Sequence, residues 1–280
     1  MTVERILIPT DGSDYATTAI EYGIYIAKRL DAQLTGFHVI DIRLLQGPVF
    51  TDISGSVGLP AYQEFLPLLQ GSLDERAEAV LHAFKVKCHE AGLRVETKKA
   101  IGSVDRSIIE EGGNTDLIII ARRGERLHSE ETGLIGSTAE SIVRNSGKPV
   151  MVTPEIFYEI ESIGLAYDGS APADKALTLA ATLSEKTAWP ITVIIITDNH
   201  ELGAILTKKL EDFFEPRKID SAIIILQGKE DREIIKFINE RAVELMVMGA
   251  YGHNRLRELI LGSTTSSVIK RSAIPVLLTR

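Results

Sequence analysis

Glycines and hydroxyl side chains recur at a fixed spacing near the end of this chain. Two residues separate Gly249 from Gly252, nine separate Gly252 from Gly262, and Ser263 and Thr264 follow at once. Glycine lets the backbone come close to a ligand, and the first free N–H groups of a helix favour an anion. The spacing is therefore typical of a loop that places phosphate groups against the start of a helix.

A carboxylate in the same half of the chain would complete such a site. Asp168 follows a short apolar run, and an ionised carboxylate only accepts hydrogen bonds, which suits ribose hydroxyls or an exocyclic amine. Together these residues predict a nucleotide site, with sugar or base near Asp168 and phosphates over the glycines. The alternative is structural, because glycine after a strand is common turn chemistry and Ser263 or Thr264 would cap the helix.

Strands and helices must position these residues, and the chain alternates short apolar runs with helical patterns. The predicted strands of the first half are Arg5–Pro9, Gln33–Val39, Arg94–Lys98, Asp116–Ala121 and Pro149–Val152. Those of the second half are Glu161–Ala166, Ile191–Ile196, Asp220–Leu226, Glu244–Met248 and Pro275–Leu278. Successive apolar positions are typical of parallel strands covered on both faces. The predicted fold class is α/β, with two tandem doubly wound domains, each built on a five-stranded parallel sheet.

Doubly wound sheets bind ligands beyond the carboxyl ends of their strands, where the strand order reverses. Asp168 follows the first predicted strand of its half, Met248 and Gly249 end the fourth, and Gly262 precedes the last helix. If the first and fourth strands are neighbours, these groups face one crevice.

The two halves of the chain repeat each other. Three blocks recur in the same order: ILIPTDGS and IGLAYDGS, GSVDRSIIEE and GKEDREIIKF, and LIGSTAESIVRNSGKPVMVT and ILGSTTSSVIKRSAIPVLLT. Ordered self-similarity of this kind indicates a duplicated folding unit. We therefore expect two domains, residues 1–154 and 158–280, with the seam near Pro154–Tyr158.

The first unit carries an insertion near residues 41–72. Its Gly-, Pro- and Ser-rich part, Leu44–Pro60, is typical of a loop, and Asp74–Gly92 is typical of a helix stopped by glycine. His82 and His89 share a face of that helix but lie two turns apart, too far for one metal without other ligands, so a plain surface helix is expected there.

On these motifs the chain resembles a tandem universal stress protein over nearly all of both halves. The family's nucleotide-binding subgroup has the glycine spacing described above, followed by Ser or Thr. It also has an aspartate closing the first strand, matched by Asp168 and Asp11, and an apolar residue beside the base, matched by Ile196 and Val39. The resemblance implies that ATP or a related adenine nucleotide binds, accompanied by Mg²⁺.

The resemblance also implies which residues bind. In the second unit they are Ala166, Tyr167, Asp168, Ile196, Met248, Gly249, Gly252, His253, Gly262, Ser263, Thr264 and Thr265. A second site in the first unit would comprise Pro9, Thr10, Asp11, Val39, Gly124, Gly136, Ser137 and Thr138. His253 is as consistent with a solvated loop as with a phosphate contact.

The first unit departs from the motif. Ala121 replaces the first glycine, and eleven residues instead of nine separate Gly124 from Gly136. Glutamates in the longer loop would repel a polyphosphate, whereas Arg122 and Arg123 would attract it. The C-terminal domain is therefore expected to be the main nucleotide site, with binding in the N-terminal domain left open.

Composition excludes several functions. The net charge of −8 and the lack of a Lys/Arg cluster argue against a general nucleic-acid binder. The longest apolar runs, such as Ile191–Ile196, are too short to cross a membrane, and the N-terminus is not typical of a secretory signal. The single cysteine, Cys88, precludes an intrachain disulfide and fits a reducing cytoplasm, where we expect the protein.

The predicted function is that of a stress-response binding or regulatory protein with at most slow ATP hydrolysis. Neither a Walker-type loop nor a nucleophile elbow is present. A nucleotide-independent structural or interaction module is the alternative, and an adenylating ligase is a third. The resemblance further implies that the two domains pair within the chain through their last strands, PVMVT and PVLLT, and it leaves a homodimer open.

Overall fold

Strands and helices alternate along the whole computed structural model, which describes residues 2–46, 59–124, 135–240, 243–250 and 262–280. The strands of the first half are β1 (Arg5–Pro9), β2 (Gln33–Asp41), β3 (Val95–Gly102), β4 (Leu117–Ala121) and β5 (Val150–Thr153). Its helices are α1 (Asp14–Leu30), α2 (Arg43–Gln46), α3 (Leu59–Glu90), α4 (Val104–Gly112) and α5 (Ser137–Asn145). The strands of the second half are β6 (Ile163–Ala166), β7 (Ile191–Ile196), β8 (Ser221–Leu226), β9 (Leu245–Gly249) and β10 (Val276–Thr279). Its helices are α6 (Ala171–Thr187), α7 (His200–Phe214), α8 (Glu230–Glu240) and α9 (Ser263–Arg271).

Within the described residues the strands form one sheet, in the order β3-β2-β1-β4-β5-β10-β9-β6-β7-β8. All neighbours within each half are parallel. The central pair, β5 and β10, is antiparallel, with Met151 opposite Leu277. The predicted fold class and the pairing through the last strands are therefore confirmed.

The strand order reverses at the same place in each half. β1 lies between β2 and β4, and β6 lies between β7 and β9. Ala166 is opposite Met248 in the second reversal, so the segments that follow β6 and β9 start side by side. The condition for a shared crevice is met in both halves.

Apolar residues from both halves form a continuous core on each face of the sheet. Every residue of β4 and four of the five in β1 are buried, as expected for strands covered by helices on both sides. At the junction Tyr25 stacks on Trp189 with ring centroids 6.2 Å apart, and its hydroxyl donates to the carbonyl of Ile160 at 2.6 Å. The two halves therefore share their packing and are not connected by the backbone alone.

The insertion is more helical than its composition indicates. Leu44–Gln46 lies in α2 and Leu59–Pro60 opens α3, so the predicted loop is wrong at both ends, while residues 47–58 are outside the described residues. α3 also runs through Pro67, which removes a backbone donor and normally interrupts a helix. The described side chains from residue 66 to residue 76 are exposed or half-buried, and the buried face of the helix begins at Ala77. No helix among the described residues is long and apolar enough to cross a membrane.

One face of α3 is part of the core, and its other face lies at the surface. Ala77, Leu81, Phe84 and Cys88 are buried at helical spacing, whereas His82 and its neighbours on the other face are exposed. Burial raises the pKa of the Cys88 thiol to about 11, so the side chain acts as a small apolar residue.

Candidate functional site

A cavity of about 320 Å³ opens at the carboxyl edge of the sheet in the first half. The ends of β1, β2 and β4 and the start of α5 form its walls. All eight residues predicted for the second site line it, namely Pro9, Thr10, Asp11, Val39, Gly124, Gly136, Ser137 and Thr138. Phe37, Val104, Ile108 and Ile120 add apolar lining. The volume is typical of small-molecule sites, and the lining combines these apolar walls with hydroxyl and charged side chains.

The insertion contributes to this cavity in a way that the motifs do not indicate. Arg43 and Leu44 of α2, with Leu73 and Arg76 of α3, line it as well. Asp41 holds Arg43 in place. The Nε of Arg43 donates to both carboxylate oxygens of Asp41, each at 3.0 Å. The second half has no counterpart of the insertion, so comparing the two halves could not reveal Arg43 and Leu44.

The sequence Asp-Gly-Ser forms the same turn after β1 and after β6. The backbone N–H of Ser13 donates to Asp11 Oδ1 at 3.0 Å, and that of Ser170 donates to Asp168 Oδ1 at 2.9 Å. The glycine between them has φ of +82° in one turn and +77° in the other, a region that glycine enters without strain. Both aspartates therefore have a structural role in the turn, in addition to any role toward a ligand.

The helices that begin at the two crevices lack a side-chain cap. Gly136 is the N-cap of α5 and Gly262 that of α9, and neither helix start has a side-chain capping bond. By contrast, α1, α6 and α7 are capped by the side chains of Ser13, Ser170 and Asn199, each of which accepts a hydrogen bond from a backbone N–H of its helix. The expectation that Ser263 or Thr264 caps α9 is wrong, because both lie within its first turn. The first N–H groups of α5 and α9 thus face the crevices without a capping side chain.

The two described glycines of the C-terminal motif have different surroundings. A Cβ on Gly249 would lie 2.9 Å from Pro172 Cβ and 3.1 Å from the backbone nitrogen of Ala173, so the start of α6 excludes a side chain there. Among the residues that the structure describes, a Cβ on Gly262 would meet nothing closer than 3.8 Å, and its φ of −53° is open to any residue. Packing by the described residues therefore explains Gly249 but not Gly262, and Gly262 does not have the positive φ that would favour glycine.

Three apolar residues of the predicted C-terminal site lie on one face of the sheet. Met248 is buried there, and Ala166 and Ile196 pack beside it while remaining partly exposed. The side chain of Tyr167 lies on the opposite face, where its hydroxyl donates to Asp174 and burial raises its pKa. Only the backbone of Tyr167 is therefore placed to contribute at the crevice.

The remaining predicted residues of this site surround the start of α9. Thr265 is buried, and its hydroxyl donates to the carbonyl of Ala250 at 2.9 Å, which ties the helix to the end of β9. Ser263 is exposed and Thr264 is half-buried. Gly252 and His253 lie outside the described residues.

The matching region of the first half brings its own glycine and carboxylate together. A Cβ on Gly124 would lie 2.8 Å from Asp11 Oδ2, so the loop after β4 contacts the turn after β1. Ala121, in place of the first motif glycine, is buried at the end of β4. Among the residues described, no three His, Cys, Asp or Glu side chains converge as they would in a metal site.

A carboxylate–hydroxyl pair fixes each uncapped helix to the helix beside it. Ser141 Oγ of α5 donates to Asp105 of α4 at 2.6 Å, and Ser267 Oγ of α9 donates to Asp231 of α8 at 3.0 Å. Hydrogen bonds from Ser103 and Ser141 lower the pKa of Asp105. The repeated blocks GSVDRSIIEE and GKEDREIIKF align the two aspartates, so this signal was present in the sequence although the site prediction missed it.

Comparison with known proteins extends the similarity beyond the fold. The model of the universal stress protein family matches residues 2–154 and 200–280. Universal stress protein Slr1230 of Synechocystis sp. is 31% identical, over 98% of this chain and 99% of that protein. Universal stress protein MJ0531 of Methanocaldococcus jannaschii is 32% identical, over 53% of this chain and 81% of that protein. The crystal structure of a universal stress protein from Archaeoglobus fulgidus is 25% identical with a TM-score of 0.78, covering 100% of this chain and 99% of that one.

Proposed function

The chain belongs to the universal stress protein family, and we propose that it binds ATP or a related adenine nucleotide, mainly in its C-terminal domain. In this proposal residues 1–154 and 158–280 are the two domains, and the protein is a cytoplasmic binding or regulatory protein of the stress response. Slow hydrolysis of ATP is the most that its residues support.

The observation that carries the proposal is Gly262. It begins a helix without a side-chain cap, and neither its packing against the described residues nor its backbone conformation requires a glycine there. A ligand that approaches the backbone closely supplies the missing reason. Helix N–H groups attract anions, so a phosphate group is the chemistry that suits this position.

In this proposal, the other described residues of the crevice contact different parts of the nucleotide. The hydroxyls of Ser263 and Thr264 lie beside the phosphate position, and Ile196 with Met248 offers an apolar surface to the base. Asp168 accepts hydrogen bonds from the ribose hydroxyls or the adenine amine, since each carboxylate oxygen has two lone pairs. The N-terminal cavity, lined by the matching residues, is a second site for the same class of ligand.

Mg²⁺ would arrive with the triphosphate, and the hydroxyl oxygens of Ser263 and Thr264 are of the type that this ion accepts. When bound, the ion neutralises phosphate charge. The chain's own residues would position the nucleotide, and among the described residues at this crevice no His lies beside the phosphate position to act as a general base.

A panel of nucleotides tests the proposal on the full chain. Purified protein is melted alone and with ATP, AMP, cyclic AMP, GTP or UTP, each with Mg²⁺. We expect adenine nucleotides to raise the melting temperature, since a ligand at a hundredfold excess over its Kd adds about 2.7 kcal/mol of stability. UTP should add little, because its base lacks the adenine amine. If no nucleotide raises the melting temperature, the structural-module alternative replaces this function.

A further inference from the structure

The side chain of Arg122 reaches from the first half of the chain to the end of α9 in the second. Its Nη1 lies 3.1–3.2 Å from the carbonyl oxygens of Ile269, Lys270 and Ser272. The side chain is only 13% exposed, and Nη2 is 3.6 Å from the carboxylate of Glu155. A cation in this position satisfies the last carbonyls of a helix and complements its dipole.

The main chain of the same residue belongs to the N-terminal cavity. Arg122 lines that cavity directly after Ala121, and its carbonyl accepts the backbone N–H of Gly136 at 2.8 Å. Gly136 is the N-cap of α5, the position at which an anionic ligand would contact the first unit. One residue therefore contacts the ligand-facing start of α5 and, through its side chain, the far end of α9.

The link is not duplicated in the second half. Ala250 is the residue at the matching position after β9, and its methyl group has no donor to offer. The C-terminal end of α5 is instead contacted by Arg280, whose Nη1 donates to the carbonyl of Arg144 at 2.8 Å. Arg280 is the last residue of the chain and is remote in sequence from both motif loops.

We infer that Arg122 is a positioning residue for the C-terminal site and couples it to the N-terminal cavity. A nucleotide in the cavity holds α5 and its N-cap, which fixes the main chain of Arg122. The fixed guanidinium holds α9, whose start faces the C-terminal site at Gly262. The C-terminal site is then already partly ordered before its nucleotide binds. That nucleotide therefore costs less conformational entropy and binds more tightly. This inference rests on the proposed function.

If Arg122 only capped the C-terminal end of α9 and did not couple the two sites, its removal would have a different effect. Its loss would lower the melting temperature and weaken the C-terminal site by the same factor, whether or not the N-terminal cavity is filled. Coupling predicts that the effect of Arg122 depends on occupancy of the cavity, and linkage makes this dependence mutual. Four proteins measured together separate the two cases.

The experiment is calorimetric titration of the full chain with ATP and Mg²⁺. The proteins are the wild type, Gly136→Val, Arg122→Met and the double variant. Gly136 has φ −60° and ψ 140°, which valine adopts readily. The valine side chain obstructs the cavity, while the backbone N–H of residue 136 can still donate to the carbonyl of Arg122. Gly262→Val identifies the C-terminal binding event. Arg29→Met is the matched control, since Arg29 also lies at the junction, 3.7 Å from Glu159, but contacts neither α5 nor α9 in any described bond.

We expect Gly136→Val to weaken the C-terminal site about fivefold or more in the wild-type background, a typical size for coupling between sites. In the Arg122→Met background the same change should alter that affinity by less than about twofold, and Arg122→Lys should restore part of the coupling because it keeps the charge. Arg29→Met should leave the coupling intact.

Two independent sites in the wild type, or an equal effect of Gly136→Val with and without Arg122, would overturn the inference and leave nucleotide binding standing. A wild-type chain that takes up no ATP at either site would overturn the proposed function, and this inference with it.

Discussion

Gly249 and Gly262 of the C-terminal motif have different surroundings, and replacing each with alanine distinguishes their roles. Gly249→Ala places a methyl group against the backbone at the start of α6, so we expect a loss of about 1–3 kcal/mol of stability from overpacking. The methyl group of Gly262→Ala would meet no atom of the described residues closer than 3.8 Å, so this variant should stay within about 0.5 kcal/mol of wild type. Urea unfolding without ligand measures both. Equal losses at the two positions would show that Gly262 is also a packing residue.

Asp168 combines a turn contact with the predicted ligand contact, and its amide analogue distinguishes them. Asp168→Asn keeps an oxygen that can accept the N–H of Ser170, so the fold should survive, whereas Asp168→Ala should lose about 0.5–1.5 kcal/mol of stability. Both variants should weaken ATP binding roughly ten- to a hundredfold, because a hydrogen bond to a charged group is lost. Calorimetry on the folded variants is the measurement. Wild-type affinity in Asp168→Asn would restrict the carboxylate to the turn.

Partly buried polar pairs connect neighbouring helices, and the pair between α4 and α5 gives the fold an acid dependence. Hydrogen bonds from Ser103 and Ser141 hold the pKa of Asp105 below its usual range. The ionised form therefore stabilises the folded state above the unfolded-state pKa of about 3.9, and this contribution disappears as the pH falls through the lowered folded-state pKa.

The difference in unfolding free energy between wild type and Asp105→Asn should accordingly be full at neutral pH and shrink steadily below about pH 4. Glu110→Gln is the control on the same helix, since that side chain is 65% exposed and paired only with Arg106 in the described contacts. A difference that is constant from neutral to acid pH would mean that Asp105 acts through its shape and not its charge.

Among the strands and helices, the sequence predicted the bounds of those elements that depend on local burial. The predicted strands β1, β4 and β7 match the observed ones within a residue, because strands covered on both faces are apolar at successive positions. β3 runs on to Gly102, four residues past its predicted end, since this edge strand is half polar and its length is set by pairing with β2. α3 begins fifteen residues before its predicted start, because Pro67 and Gly71 conceal the helical pattern of this segment.

The whole molecule should unfold as one unit, because both cores contain residues from both halves. Trp189, the single tryptophan, stacks on Tyr25 at the junction and reports on it directly. We expect its fluorescence and the far-UV circular dichroism to give coincident urea transitions. A fluorescence transition that precedes the loss of secondary structure would show that the halves separate before either unfolds.

The repeat in the sequence predicted two units, and the family resemblance implied that they pair. This pairing has a physical motive, because each unit leaves an apolar last strand that needs a partner. The cavity walls from the insertion could not be found this way, since Arg43 and Leu44 lie in the segment that has no counterpart in the second half. Neither could the contact of Arg122 with α9, which joins residues about 150 positions apart and depends on how the halves are placed.

The central claim is that the crevice at Gly262 binds an adenine nucleotide, and equilibrium dialysis of labelled ATP with Mg²⁺ tests it most directly. Wild type and Gly262→Val are compared, after melting without ligand has shown that both are equally folded. We expect saturable uptake by the wild type and loss of at least one equivalent of bound ATP in Gly262→Val. Equal uptake by the two proteins, or no saturable uptake by the wild type, would contradict the account.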